Sequence, residues 1–281
     1  MPPRRRDGRF GSTGMSVNEL RRMLSTTYDL VCSVGSDCGC AGHLIRNRLR
    51  RASYPLDWVG TWYNGIVGVA RLVESNFSGF LQLENLRREP NPPRAAQDDH
   101  DHDYYHDVGL RIDSAHDFPV GVPLETAYPA VRTKYDRRIR RFYESLGSAA
   151  CTLLVYWTWR DCPSSDDVCR AAEIFRAKFP GRRIDLLVMR NADRSEIAAQ
   201  TVGDGIFLVD GPFHPSGGHP AFGDKAVNDA VFSLIRLKGK RREDLLRRLN
   251  LLYVRFLSAF IFDRGRRHAF RERRTRTDFS L

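Results

Sequence analysis

Cys38 opens the chemical reading of this chain. It follows a strand-like run, Tyr28-Asp-Leu-Val-Cys-Ser-Val, and a glycine turn, Gly35-Ser36-Asp37. Beyond it Ala41, Leu44, Ile45 and Leu49 recur at helical spacing, so the thiol stands at a helix N-terminus, with Ser36 or Asp37 as the cap. Unpaired N–H groups and the helix dipole favour an anion there, which makes Cys38 a candidate nucleophile. A nucleophilic thiol needs a base, and His116 follows a second strand-like run ending near Ile112. In an open parallel sheet reactive groups collect at the carboxyl ends of the strands, which would bring both residues to one edge. Asp117 or Asp113 would orient the imidazole, Asp57 lies nearby in a Pro-Leu-Asp-Trp turn, and Trp58 would wall the site. Cys40 competes for the nucleophile role, and Ser33 is the outside candidate for a serine hydrolase. The plain alternative is structural: a small residue at a helix start, a histidine at a strand end, and an aspartate bonding its own turn.

The same residues carry a resemblance. Ser33-Val-Gly-Ser-Asp-Cys38-Gly-Cys-Ala41, then Leu49-Arg50, then Ser53-Tyr-Pro-Leu-Asp57-Trp58, resembles a bacterial family of unknown function catalogued as papain-like cysteine peptidases. Its pattern is roughly Ser-Leu-Gly-x-x-Cys-x-x-Ala, Leu-Arg, Pro-Phe-Asp-Trp. Asp113-Ser-Ala-His116-Asp117-Phe118 and the basic run Tyr135-Asp-Arg-Arg-Ile-Arg-Arg-Phe142 extend the match, which covers roughly Tyr28 to Met189. The chain departs from the pattern at Val34 and Leu56 and adds Cys40. The resemblance implies that Cys38 is the nucleophile, with His116, Asp117 and Asp57 around it. It further implies a cysteine peptidase, or a related hydrolase or acyltransferase, acting on a peptide, acyl or glycan substrate.

The elements that must position these residues alternate. A lead-in helix is expected at Met15 to Ser25 and a helix at Trp62 to Phe77; residues 85 to 99 read as a polar loop. The run Asp98 to Asp107 holds three histidines among acids but lacks a period that would aim them at one point, so it reads as a solvated loop rather than a metal site. A basic amphipathic helix follows at Pro129 to Leu146. Strands are expected at Cys151 to Trp157, Arg183 to Met189 and Gly205 to Val209, with helices at Asp166 to Phe179 and Lys225 to Leu237. This alternation predicts an α/β fold, a mostly parallel central sheet with helices on both faces. The family name points instead to a papain-like α+β fold, which stands as the alternative.

Composition sets the bounds. At 281 residues and 42% hydrophobic, the chain can bury a proper core, and it reads as three parts: a disordered basic stretch at 1–14, one α/β domain at 15–240, and a basic amphipathic helix and tail at 241–281. No signal peptide or membrane span is visible, and six cysteines without a framework fit reduced thiols, so a cytoplasmic protein is expected. His214 to His219 lacks nucleotide-loop spacing, and no cofactor or metal is expected. The net charge of +11 invites a nucleic-acid reading, but no nucleic-acid motif accompanies it. In 241–274, Leu245, Leu249, Leu252, Phe256 and Phe260 form a helical stripe beside arginines. That pattern fits an anionic membrane surface at the inner face, or a helix packed on its own core; the ending also resembles those of bacterial surface-glycan enzymes, which implies an accessory role in surface-polysaccharide biosynthesis.

Overall fold

The computed structural model describes residues 17–90, 101–213 and 224–240, with residues 245, 246, 249 and 252–254 of the tail. The chain divides into two compact units, Met1–Arg236 and Leu237–Leu281. The first unit carries α1 (Val17–Met23), β1 (Thr27–Tyr28), β2 (Leu30–Ser33), α2 (Cys38–Arg46), β3 (Val59–Gly60) and α3 (Gly65–Glu74). It continues with β4 (Leu86–Arg88), β5 (His102–Asp107), β6 (Ile112–Pro119), α4 (Leu124–Ser148), β7 (Cys151–Thr158) and α5 (Ser165–Lys178). Then come β8 (Arg183–Asn191), β9 (Ala198–Gly203), β10 (Ile206–Gly211) and α6 (Lys225–Phe232).

Five strands form one sheet in the order β2-β7-β8-β10-β9. β2 runs parallel to β7, β7 to β8 and β8 to β10, while β9 pairs antiparallel with β10 at the edge. The sheet is therefore mixed, and the α/β class is as expected. The three strands expected at Cys151, Arg183 and Gly205 are adjacent, and only β9 had no forecast. Its sequence, Ala-Ala-Gln-Thr-Val-Gly, has no apolar alternation, and two of its positions are exposed, as an edge strand allows. β7 and β8 are buried along most of their length, which requires cover on both faces and explains their unbroken Leu-Val-Met runs.

A second sheet, β3-β6-β5-β4, is antiparallel throughout and was not anticipated. It corrects two expectations. The acid-and-histidine run expected as a solvated loop is, from His102 to Asp107, strand β5, because Tyr104 and Tyr105 turn into the protein and four of its six residues are buried. His116 does not follow a strand ending at Ile112; it lies inside β6. Helix α4 starts earlier than its basic stripe indicated, at Leu124, and runs through Pro129, its sixth residue, which has no N–H for the i→i−4 ladder. The loop at His214 to His219 lies outside the described residues.

Candidate active site

The turn that presents Cys38 is built from β2 and β7. Beyond the last residue of β2 the pairing continues: Val34 N–H donates to Val155 O at 2.9 Å, and Ser36 N–H to Trp157 O at 2.8 Å. Gly35 has φ +116°, and a Cβ there would come within 2.7 Å of Thr61 Oγ1 and 3.3 Å of the Tyr156 ring, so only glycine fits. Thr61 N–H donates to Ser36 O at 2.7 Å, tying the turn to the end of β3. Asp37 is the N-cap of α2, accepting from Gly39 N–H at 2.8 Å, and its other oxygen accepts from Trp159 Nε1 at 2.7 Å.

Cys38 is the first residue of α2 and half-buried. Burial, and next the Asp37 carboxylate, push its thiol from the ordinary 9.0 up to about 12, outweighing a backbone hydrogen bond. At rest the nucleophile candidate is a protonated thiol. Cys40 lies two residues further along α2, fully buried, its Sγ donating to Val155 O at 3.4 Å, and burial pushes it up to about 12 as well. Ser33 is buried in β2. Burial raises Asp37 to about 6, against the Gly39 N–H, the Trp159 indole and the Arg160 charge.

His116 sits on a bulge. From Asp103 to Tyr105 β5 advances two residues, while its partners on β6, Phe118 and Ser114, are four apart. Two extra residues on β6 therefore bow out around Ala115, His116 and Asp117, a device that re-aims side chains. The His116 ring is half-buried, edge-on to Trp58 at 6.2 Å and to His102 at 6.4 Å. Trp58 reaches it because β3 pairs with β6, Val59 opposite Ser114.

The aspartates go elsewhere. Asp117 accepts from Ser114 Oγ and Tyr135 Oη, each at 2.6 Å, and pairs with Lys134 Nζ at 2.6 Å. Burial alone would raise its carboxyl, but Lys134 and these donors hold it below the usual range. Asp57 is fully buried; Oδ2 accepts from Arg50 Nε and from Tyr54 N–H, both at 2.8 Å. Burial raises it against Arg50. Asp57 thus closes its own turn, as the plain alternative held, while Arg50 also lies over Trp58 at 5.5 Å. Asp113 is bonded to His106 Nδ1 at 2.7 Å, a histidine–aspartate pair the sequence reading did not single out. Its signal was the i, i+7 separation across a tight turn, legible only once β5 was known to be a strand.

A further group lines the carboxyl ends of β2 and β7. Arg160 lies 4.3 Å from the rings of both Trp62 and Trp159, and Trp159 in turn donates to Asp37 beside Cys38. No part of this group was foreseen, because its members are single residues at three separate strand ends.

Comparison with known proteins supports the likeness to the family and leaves the reaction open. Residues 29–166 match the family described as "Putative papain-like cysteine peptidase (DUF1796)". The match runs from the start of β2 through the whole antiparallel sheet and β7 to the first residues of α5, and leaves out β8, β9 and β10. A curated relative, "Uncharacterized protein R408" of Acanthamoeba polyphaga mimivirus, is 32% identical over 126 residues, covering 41% of this chain and 55% of that protein. The chain thus spans about half the length of the relative it matches. No solved structure matches.

Proposed function

We propose that this protein is a thiol-dependent hydrolase or acyltransferase in which Cys38 attacks an acyl carbonyl and His116 takes its proton. The observation that carries the reading is the placement of Cys38: first residue of a capped helix, directly after a glycine turn at the carboxyl end of a buried strand, within the segment that matches the family. Because the thiol rests protonated, deprotonation accompanies attack. The Cys38 Sγ–H bond breaks toward the histidine as the S–C bond forms, and the proton then passes to the leaving group as its bond to the acyl carbon breaks. Water or a second acceptor next attacks the thioester, which decides between hydrolysis and transfer. Trp58 gives the imidazole its seat, and Asp117, turned toward Lys134, anchors the bulge rather than the ring.

The test is acyl-enzyme capture with p-nitrophenyl acetate. Intact-mass and peptide mapping should place one acetyl group on Cys38, absent from Cys38→Ala and much slower to form in His116→Ala. An adduct that persists in Cys38→Ala, or maps to the exposed Cys162, defeats the mechanism.

The raised Cys38 pKa favours one second reading, a non-catalytic accessory protein in which the same turn is structural; an absent adduct would support it. For the tail, described only in part, Leu245, Leu246, Leu249, Leu252 and Tyr253 are each more than half exposed. With Arg247, Arg248 and Arg255 in the same stretch, that stripe supports contact with an anionic membrane surface. No described helix is long and apolar enough to cross a membrane.

A further inference from the structure

Arg160 is an exposed cation with an unusual setting. Two indole rings stand 4.3 Å from its guanidinium carbon, which fixes where the charge is without neutralising it. Among the described residues no carboxylate lies within ion-pair distance of it. Asp37 and Asp113 feel its field, and each carboxylate around it already accepts from another donor, Asp113 keeping one buried oxygen, Oδ2, without a partner. Asp37 holds Gly39 N–H and the Trp159 indole, Asp113 holds His106, and Asp161 holds the Tyr156 and Thr158 hydroxyls. Contact with aromatic faces uses the face of a guanidinium and leaves its N–H edge, a fork that matches the two oxygens of a carboxylate or phosphate.

The same ledge carries a second stack. Trp62 lies 5.9 Å from Tyr63, and Arg111, exposed at the β5–β6 turn, lies over Tyr63 at 5.1 Å, again with no carboxylate at ion-pair distance among the described residues. Trp62 Nε1 is buried without a hydrogen-bond partner, a third donor in the group. The ledge is packed to order: a Cβ on Gly60 would overlap the Trp62 six-membered ring, so the glycine is what lets the indole lie there.

We propose that Arg160, held by Trp62 and Trp159, is an oxyanion anchor that binds a phosphate or carboxylate group of the substrate beside Cys38, with Arg111 taking a further anionic group. Its role as a substrate anchor rests on the thiol mechanism above; the binding of the anion does not. Asp37 links the two sites, since it caps the Cys38 helix with one oxygen and holds Trp159 with the other.

The experiment is a titration of the full chain with inorganic phosphate and, separately, with acetate, at ionic strength balanced with sodium chloride and read by tryptophan fluorescence. Either anion should give a saturable change, because the anchor's own partners are the reporting indoles, and the arm that saturates at lower concentration names the source. Arg160→Gln should weaken that binding at least tenfold, Arg160→Lys by less, since it keeps the charge and loses the fork. Gly60→Ala should weaken it while Arg160 stays in place. Thermal melting of each variant checks folding, and Arg194→Gln, at another surface arginine, is the control. The proposal is overturned if neither anion saturates, if Arg160→Gln titrates like the wild type, or if Arg194→Gln loses as much. Cys38→Ala should bind the anion unchanged, so a failed acyl-enzyme experiment leaves this result standing and the reverse also holds.

Discussion

Alkylation of Cys38 by iodoacetamide is predicted to be slow at neutral pH and to accelerate when Asp37 is neutralised. The thiol lies three pH units above its ordinary 9.0, at about 12. At pH 7.5 its thiolate fraction is therefore about 10³-fold below that of an ordinary cysteine. A more basic thiolate is also a better nucleophile, and a Brønsted slope of about 0.45 returns roughly 20-fold, leaving a net deficit of about 50-fold. The exposed Cys162 supplies the internal reference, with site-specific rates measured by peptide mapping between pH 7 and 10. Cys38 should lag Cys162 throughout, and its rate should climb without a plateau. Asp37→Asn keeps a cap for Gly39 N–H and removes the adjacent negative charge, the second cause of the raised pKa, so the Cys38 rate should rise. A plateau below pH 9, or a Cys38 rate equal to that of Cys162, would show a preformed thiolate and refute the reasoning. An unchanged rate in Asp37→Asn would remove the carboxylate from the account.

Other outcomes follow from the same geometry. The Asp37 carboxyl, raised from 3.8 to about 6, favours the folded state only while protonated; as pH rises from about 4 to 6 that contribution, about 3 kcal/mol, is lost. Urea midpoints across that range should fall more steeply for the wild type than for Asp37→Asn. Asp117 has the opposite sign: its lowered pKa stabilises the fold above the usual carboxylate range and ceases to do so as pH falls. Asp117→Asn should cost about 3 kcal/mol by denaturant unfolding at pH 7, because it strips the partner of Lys134. Gly35→Ala should destabilise by about 2 kcal/mol or more, through a Cβ pressed against Thr61 at positive φ, and a normal melting temperature would contradict it. Full-length protein should sediment with anionic liposomes at low salt and lose that binding when residues 241–281 are removed; protein left in the supernatant sinks the membrane reading of the tail.

The first sheet was legible because its strands announce themselves. Leu153 to Trp157 and Leu186 to Met189 are unbroken apolar runs, and the Asp37 cap was readable from type and position. The second sheet was not. β3 has two residues and β4 three, too short for any period, and β5 hides two buried tyrosines among histidines and aspartates whose polarity reads as loop. The bulge under His116 is a register property of two strands together, so no window on one strand contains it. Asp57 and Asp117 could be picked out by type, but their partners, Arg50 seven residues back and Lys134 on another element, depend on the tertiary fold. Arg160 was invisible for the same reason: its meaning comes from Trp62, almost a hundred positions away in the chain.

The pairing of β2 with β7 also bears on how the protein is made. Leu30 lies opposite Thr152, and the turn beyond β2 hydrogen-bonds to Val155 and Trp157, while the whole antiparallel sheet is encoded in between. On a ribosome, the segment bearing Cys38 emerges early and waits for β7 before its turn can be completed. Contacts this distant in sequence slow folding and leave the waiting strand edge open to other chains. Any fragment ending before Cys151 would carry the thiol and the histidine without the strand that sets the thiol's position. Two halves expressed apart would regain that strand only by meeting in trans.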